Sequence, residues 1–329
     1  MKDVRKRWCL VGALLIGLSV TSYAQDSGFT ISENKAEKRV DIAIDGKPFT
    51  SYIYSDSLMK PVLYPIQTTD GAFITRGWPL EPRAGERTDH PHHVGLWFNY
   101  GDVNGIDFWN NSSSIPSAEK DKYGTIRHLA VNMMVADDNK AELDVSAYWE
   151  KSDGTKLIKE DTKYIFTETG GRRAIELHVK LTALEEDVSF ADNKEGLIGI
   201  RLTRELEHAS GQGTTGLYRS SVGKKGNDVW GTRGAWVNLN GTLDGQPVSI
   251  VILDHPENVG YPTYWHARDY GLFAANPLGQ KVFSEGDEVL DFKLKAGESV
   301  VFKYTVLINS GNNLSDDLVN REAKTFEKK

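Results

Sequence analysis

Apolar and polar residues alternate with a period of two along most of the chain, as expected for β-strands with one buried face. The alternation is clearest in residues 141–149 and 175–181, with residues 156–167 between them. Turn-forming residues, among them Asp153-Gly154 and Gly170-Gly171, separate the three segments. This order predicts a meander in an antiparallel sheet with one face in the core.

Shorter segments of the same kind predict further strands on both sides of the meander. Residues 40–44 end at Asp45-Gly46, a favoured hairpin turn, so residues 47–54 are the predicted partner strand. The other predicted strands are residues 61–66, 72–78, 94–100, 235–239, 247–253 and 270–275, with a closing hairpin of residues 288–293 and 299–308.

Two segments lack the strand period. Residues 209–234 are rich in Gly, Ser and Thr and are long for a connection, which predicts a functional loop or lid. Residues 313–329 predict a helix, with Asn313 or Ser315 as its cap, acidic residues at its start and lysines at its end.

Many strands and one short helix predict an all-β fold, a large antiparallel β-sandwich with a short C-terminal helix. Neither an internal repeat nor a linker stands out, which favours a single domain spanning residues 25–329. A two-domain arrangement divided near residues 110–117 is the alternative.

The first 24 residues predict a secretory signal peptide. Four basic residues precede the apolar run of residues 8–20, and Ser22-Tyr23-Ala24 provides a small-x-small cleavage site. The apolar run is short for a bilayer span, which needs about 20 residues. We therefore expect a periplasmic or secreted protein with no membrane span after cleavage.

Composition then excludes several classes of function. Cys9, the only cysteine, lies inside the predicted signal peptide, so the mature chain has no disulfide, zinc-thiolate site or cysteine nucleophile. Removing residues 1–24, which carry four basic residues and one acidic residue, changes the formal charge from −7 to −10. An acidic chain without a basic cluster is a poor nucleic-acid binder.

The candidate chemistry is concentrated in residues 81–110. Three of the eight histidines, His90, His92 and His93, occur within four positions, next to Asp89. Pro91 fixes one backbone angle and removes a donor, so this segment is predicted to be a rigid turn.

A second Asp-His-Pro sequence occurs at Asp254, and His255 and His266 lie in polar loops there. Loops of similar composition often converge at one rim of a rigid scaffold. We therefore predict a catalytic set in which Asp89 orients a histidine, as a carboxylate fixes an imidazole tautomer. Its predicted members are His90, His92, His93, His255, His266 and Asp89.

Three interpretations of these histidines remain open. They are structural residues in a tight turn, ligands of a divalent metal, or metal-free general acids and bases. The metal interpretation uses His90, His92 and His266, although no zincin-type spacing is present. No cofactor is predicted, and a divalent metal is the possible exception.

Aromatic residues around the same loops favour a sugar as the ligand. Flat aromatic rings pack against pyranose faces, while polar side chains bond the hydroxyls. Arginines here are candidates for holding a substrate carboxylate or a developing oxyanion. The predicted substrate-binding residues are Arg83, Arg87, Trp97, Asp107, Trp109, Tyr264, Trp265, Arg268 and Asn276.

The segments DHPHHVGLWFNYGDVNGIDFW (residues 89–109) and PTYWHARDYGLFAANPLG (residues 262–279) resemble the two signature blocks of the PmoA-like family, labelled methane oxygenase PmoA. This resemblance implies a secreted or periplasmic β protein of glycan-degrading bacteria. The oxygenase label does not fit, because no run after residue 24 is long and apolar enough to span a bilayer. The predicted architecture and site chemistry also resemble the galactose mutarotase-like β-supersandwich, which implies histidines and a carboxylate as acid and base at a sugar ring.

The sequence therefore predicts a secreted carbohydrate-active enzyme of glycan utilisation that uses acid/base chemistry for cleavage, elimination or epimerisation. His92 or His93 is the predicted base, and His266 or His255 the predicted acid. The alternatives are a metal-dependent enzyme using the same histidines and a non-catalytic glycan-binding protein.

Overall fold

The computed structural model describes residues 28–209, 211 and 213–329. The predicted signal peptide, residues 1–24, lies outside the described residues. Within them, no helix has both the length and the apolar character needed to cross a membrane.

Eighteen strands and two α-helices make up the described regular structure, together with three 3-10 helices at Ser117–Lys122, Arg204–Leu206 and Gly226–Val229. The strands are β1 (Phe29–Asn34), β2 (Arg39–Ile44), β3 (Lys47–Ile53), β4 (Val62–Leu63), β5 (Leu96–Tyr100), β6 (Thr125–Ala136), β7 (Lys140–Glu150), β8 (Lys156–Thr169), β9 (Arg172–Ala183), β10 (Val188–Phe190), β11 (Gly196–Arg201), β12 (Leu217–Ser220), β13 (Trp236–Leu243), β14 (Gln246–Asp254), β15 (Tyr264–Ala267), β16 (Leu272–Asn276), β17 (Phe292–Leu294) and β18 (Ser299–Ser310); the helices are α1 (Gln280–Phe283) and α2 (Asp316–Phe326).

The strands form two eight-stranded antiparallel sheets. The first has the order β1-β2-β3-β4-β5-β11-β16-β15, and the second has the order β12-β13-β14-β18-β9-β8-β7-β6. Strands β10 and β17 pair in a separate two-stranded sheet. The predicted β-sandwich with a short C-terminal helix is confirmed.

The largest hydrophobic core lies between the two sheets. Phe98 of the first sheet contacts Trp149 and Phe302 of the second, with ring centroids 6.5 and 6.0 Å apart. The alternating residues that predicted the meander, such as Leu143 and Leu177, are buried in this core. The period-two pattern therefore reflects one face of each strand packing between the sheets.

The outer face of the first sheet carries a second, smaller cluster that includes Trp97, Trp109 and Ala274. Trp97 of β5 lies opposite Gly199 of β11, Gly199 opposite Ala274 of β16, and Ala274 opposite His266 of β15. Directly paired residues project to the same face of a sheet, so this row runs across the outer face. The candidate site is built on this row.

Helix α2 packs on the outer face of the second sheet, over β13 and β14. The Ser315 side chain caps the helix by accepting a hydrogen bond from the Leu318 amide, and Val319 and Phe326 pack onto the sheet. The predicted C-terminal helix and one of its two predicted caps are confirmed.

Several predicted connections are wrong. Residues 288–293 and 299–308 do not form a hairpin, because β17 pairs with β10 while β18 lies between β14 and β9. Residues 209–234 contain strand β12, which pairs with β13. Residues 72–78 contribute only isolated bridges, and β6 and β11 were not predicted.

Candidate active site

The histidine loop is held on the first sheet by Arg76, whose guanidinium is almost fully buried. Its Nη1 donates to the main-chain oxygens of Arg87 and Asp89, and its Nη2 donates to those of His90 and His93. Four carbonyls on one guanidinium satisfy backbone groups that the turn leaves without partners. Arg76 therefore fixes the shape of the loop.

Asp89 joins this arginine to a second one. Its Oδ1 lies 2.9 Å from Arg76 Nη1 and 2.6 Å from Nη2 of Arg201, and the two arginine side chains are 1% and 0% exposed. Burial opposes ionisation of Asp89, but the charge of Arg201 and hydrogen bonds outweigh it and lower the pKa of the carboxyl. Asp89 is thus a fixed carboxylate anchored by two buried cations.

His93 is buried and locked in one tautomer. Its Nδ1 lies 3.2 Å from Arg201 Nη1, and because a guanidinium only donates, Nδ1 is the acceptor. Burial, followed by the charges around it, holds the pKa of His93 well below its usual value. The ring is neutral, its proton is on Nε2, and its only basic nitrogen is occupied by Arg201.

His92 packs edge-on against His93, with ring centroids 4.3 Å apart. Burial and the charge of Lys60 lower the pKa of His92 to about 2. Buried Lys60 donates to the main-chain oxygen of His92 at 2.7 Å, and burial lowers the pKa of this lysine to about 7. The hydrogen bond from Lys60 therefore helps to hold the histidine loop in place.

His90 differs from its neighbours because its side chain is 38% exposed. Its Nδ1 lies 3.3 Å from Asp89 Oδ2, and its φ of +47° places it in the left-handed region. Such a conformation is uncommon for a residue other than glycine and is often found at functional sites. His90 and Asp89 form a histidine–carboxylate dyad that faces solvent.

Tyr270 connects the dyad to the neighbouring surface. Its ring stacks on His90 at 4.9 Å with an interplanar angle of 5°, and Arg201 lies over it at 4.9 Å. Arg268 lies over the Tyr270 ring at 5.8 Å and over the ring of Trp230 at 5.7 Å. An aromatic and cationic surface therefore adjoins His90.

His266 lies on the same face of the sheet but is buried. Its Nδ1 is 3.9 Å from Oε2 of Glu195, and a backbone hydrogen bond joins it to Lys194. Burial, with nearby positive charges, lowers the pKa of His266 to about 3. It is therefore neutral near pH 7, which argues against the predicted role as an acid.

Trp97 and Trp109, two of the predicted sugar platforms, are fully buried. Their rings pack edge to face at 5.2 Å, and Trp97 stacks under His93 at 5.2 Å. They form the floor of the loop, where no sugar can reach them.

Other predicted substrate-binding residues have structural partners instead. Trp265 is in the main core and donates to the Gly234 carbonyl. Tyr264 stacks on Phe283, and the Asn276 side chain is fully buried. Asp107 accepts from the amides of Trp109 and Asn110, so it caps a turn.

The two predicted arginines near the loop also differ in their surroundings. Arg83 lies over the Phe73 ring and donates to the Thr75 carbonyl, in a separate cavity of about 150 Å³. Arg87 remains close to the dyad, and its Nε donates to Glu207 at 3.0 Å.

The predicted convergence of the two Asp-His-Pro turns is wrong. His255 packs edge-on against Phe326 of helix α2 at 4.9 Å, on the outer face of the second sheet. The histidine loop lies on the outer face of the first sheet, so the whole sandwich separates the two turns. Buried Asp254 accepts from the Asn258 side chain and the Thr263 amide, which makes its turn a structural corner.

The predicted metal set is not assembled. Throughout the part of the chain that the structure describes, no group of three or more His, Cys, Asp or Glu side chains is arranged to hold a metal ion. Of the predicted set, His90 stacks face to face on His93, with parallel rings whose centroids are 4.9 Å apart.

Sequence reasoning missed Arg76, Arg201, Tyr270 and Trp230. Arg201 lies between the apolar residues Ile200 and Leu202, whereas Arg76 follows Ile74-Thr75. A charge inside an apolar strand is costly unless it is paired, so Arg201 pointed to a buried carboxylate, whereas Arg76 carried a weaker signal. Tyr270 and Trp230 carried no comparable signal.

The fold and the site together define a β-sandwich protein with a histidine–carboxylate dyad on the outer face of one sheet. By sequence, the chain belongs to a family of unknown function, DUF6807, whose model matches residues 39–324. That family description carries no methane-oxygenase label, so the PmoA-like resemblance stays a prediction. No curated protein matches the sequence.

Solved structures similar to this chain include the galactosidase domain of alpha-galactosidase-sucrose kinase, AgaSK, at 9% identity and a TM-score of 0.41, covering 86% of this chain and 42% of that one. This chain thus spans less than half of that structure's length. Galactose 1-epimerase from Lactobacillus acidophilus NCFM is 11% identical, with a TM-score of 0.39 and coverage of 88% and 100%. The Slr1438 protein from Synechocystis sp. PCC 6803 is 9% identical, with a TM-score of 0.32 and coverage of 89% and 99%. At these scores the likenesses carry no argument about activity.

Proposed function

We propose that this protein is a carbohydrate-active enzyme that transfers protons at a sugar, with His90 as the acid/base group and Asp89 as its orienting carboxylate. The observation that carries the proposal is the dyad itself. Nδ1 of His90 faces the Asp89 carboxylate at 3.3 Å, and the ring is 38% exposed. A carboxylate at this distance favours the His90 tautomer with its proton on Nδ1, which leaves the lone pair of Nε2 to accept a proton from a substrate.

The surroundings support His90 over the other histidines. Asp89 stays ionised because Arg76 and Arg201 both donate to it, so it stabilises the imidazolium that forms when His90 takes a proton. His93 has its basic nitrogen occupied, and the pKa of His92 is lowered by burial. We therefore assign to His90 the role of general base that the sequence predicted for His92 or His93.

The neighbouring surface supports a sugar as substrate. Trp230 is exposed, and the half-buried Tyr270 ring adjoins the dyad. Such rings pack against the apolar face of a pyranose while polar groups bond its hydroxyls. A single histidine–carboxylate dyad suits removal and return of a proton, which favours epimerisation or elimination over cleavage by paired carboxylates.

The same surface also favours a second candidate, a glycan-binding protein without catalysis. Trp230 and Arg268 would provide binding in either case, whereas only catalysis requires His90. We further propose that the protein acts in the periplasm or outside the cell, directed there by residues 1–24.

The test uses residues 25–329 and His90→Ala, with His178→Ala as the matched control. His178 also contacts a carboxylate, Glu176 at 2.8 Å, but lies on β9 of the second sheet. Proton nuclear magnetic resonance in heavy water, with a panel of neutral and acidic mono- and oligosaccharides, detects exchange at sugar carbons, anomeric conversion and unsaturated products. We expect turnover by wild type and His178→Ala, and at least a ~100-fold loss in His90→Ala, the usual scale of general acid/base catalysis.

Turnover that survives His90→Ala would contradict the proposal. Saccharide binding without turnover would favour the non-catalytic candidate. Repeating the assay after treatment with a chelator separates the metal-dependent alternative, because the dyad alone needs no added ion.

A further inference from the structure

Arg268 has no acceptor for its guanidinium in the part of the chain that the structure describes. Among residues 28–209, 211 and 213–329, no carboxylate forms an ion pair with it and no oxygen accepts a hydrogen bond from it. Its Cζ instead lies over the rings of Trp230 and Tyr270, 5.7 and 5.8 Å from their centroids. A half-buried arginine without a hydrogen-bond acceptor is unusual, because its five N–H groups are strong donors.

The position of these donors indicates what they can bind. Guanidinium N–H bonds lie in the plane of the group, along its edge, and no acceptor among the described residues takes any of those of Arg268, so they remain available to a ligand. That planar edge matches a carboxylate, which accepts two parallel hydrogen bonds. A hydroxyl accepts only one, and without charge assistance.

The adjoining cavity has the size and lining of a sugar subsite. Its volume is about 260 Å³, and it is lined by Asn227, Trp230, Ala267, Arg268 and Asp269. This is just under the roughly 300 Å³ at which pockets for larger ligands begin, so it suits a single sugar unit. The Trp230 side chain, 38% exposed, offers a face for stacking.

The charges around the cavity permit an anion. The other cations of the site are already paired: Arg76 and Arg201 with Asp89, Arg87 with Glu207, and Lys194 with Glu195. Asp269 also lines the cavity, but it is exposed, where water and salt screen its charge. Among the described residues, Arg268 differs from these four cations because no carboxylate forms an ion pair with it.

We propose that the sugar bound beside the dyad is acidic, a uronate whose carboxylate is held by the edge of Arg268 and whose ring stacks on Trp230. Tyr270 stacks on His90, and Arg268 lies over the same ring, so the cavity residue Arg268 and the acid/base group adjoin one tyrosine. The inference rests on the proposed function for its catalytic meaning, but binding of the uronate can be measured independently.

The experiment compares oligosaccharides of galacturonate, glucuronate and mannuronate with their carboxyl-reduced forms, which differ only at the carboxyl carbon. Binding to residues 25–329 is measured by titration calorimetry for wild type, Arg268→Gln and Trp230→Ala. Arg127→Gln is the matched control, because this exposed arginine lines a different cavity. We expect at least one uronate to bind wild type and Arg127→Gln roughly tenfold or more tightly than its reduced form, and Arg268→Gln to lose that preference.

Equal binding of the acidic and reduced forms, or a uronate preference that survives Arg268→Gln, overturns the inference. Circular dichroism of Arg268→Gln guards against misfolding, and Arg268→Lys should restore part of the preference if charge is what matters. The His90→Ala variant separates the two proposals, because it should lose turnover but keep the preference for the uronate over its reduced form. If wild type prefers the uronate but turns over no sugar, the acidic ligand is supported and catalysis is overturned. If wild type turns over neutral sugars alone, catalysis is supported and the acidic ligand is overturned.

Discussion

Asp89→Asn is the perturbation that tests the architecture of the site most directly. The substitution keeps the shape of the side chain but removes the charge that neutralises Arg76 and Arg201. Both guanidiniums are buried, and both donate to the same oxygen, at 2.9 and 2.6 Å. The variant therefore leaves two neighbouring buried cations without their shared anion.

The expected cost follows from the partners that remain. Removing one member of a buried ion pair costs about 3–5 kcal/mol. Asp89 is 35% exposed, and Arg76 keeps its four carbonyl acceptors, so water and backbone offset part of this loss. Of its partners among the described residues, Arg201 keeps His93 Nδ1 and the Tyr270 ring. We expect the free energy of unfolding to fall by about 2–3 kcal/mol, at or just below the lower end of that range.

The assay is urea unfolding followed by tryptophan fluorescence, with near-ultraviolet circular dichroism as a second probe because Trp97 lies under the loop. Asp56→Asn is the control, since Asp56 pairs with Lys38 at the surface and should leave the midpoint unchanged. An Asp89→Asn variant within about 0.5 kcal/mol of wild type, the usual range of a surface substitution, would refute this account of the loop.

Two further predictions concern the packing under the site and the structural corner at Asp254. Gly199→Ala places a Cβ 2.7 Å from the Trp97 ring, so we expect a loss of about 1–3 kcal/mol by overpacking. Gly211→Ala should be neutral, because its Cβ would lie 3.8 Å from Thr214 Oγ1, an ordinary van der Waals contact. Equal denaturation midpoints for the two variants would contradict this. Burial raises the pKa of Asp254 to about 7, so between about pH 4 and pH 7 the folded state holds a proton that the unfolded chain releases, and stability falls as pH rises. Asp254→Asn should flatten that dependence in urea midpoints measured at pH 5 and pH 8, and an unchanged slope would count against the assignment.

The sequence alone determined the class of fold and the position of the candidate chemistry. Period-two alternation predicted the meander of β7, β8 and β9, because side-chain direction in a strand depends only on neighbouring residues. The C-terminal helix was also predictable, because its cap depends on residues close together in the sequence, Ser315 and Leu318. The density of titratable residues at Asp89, His90 and His93 located the loop before any contact was known.

Only the tertiary structure decided which of those residues are available for chemistry. Trp97 is a buried floor while Trp230 is exposed, although both are tryptophans beside polar loops. His255 and His90 share an Asp-His-Pro sequence but lie on opposite outer faces of the sandwich. Burial and strand order depend on contacts between segments distant along the chain, such as β11 inserted between β5 and β16, which local periodicity does not encode. Arg201 comes from that inserted strand, and its charge, together with that of Arg76, holds Asp89 ionised beside the exposed ring of His90.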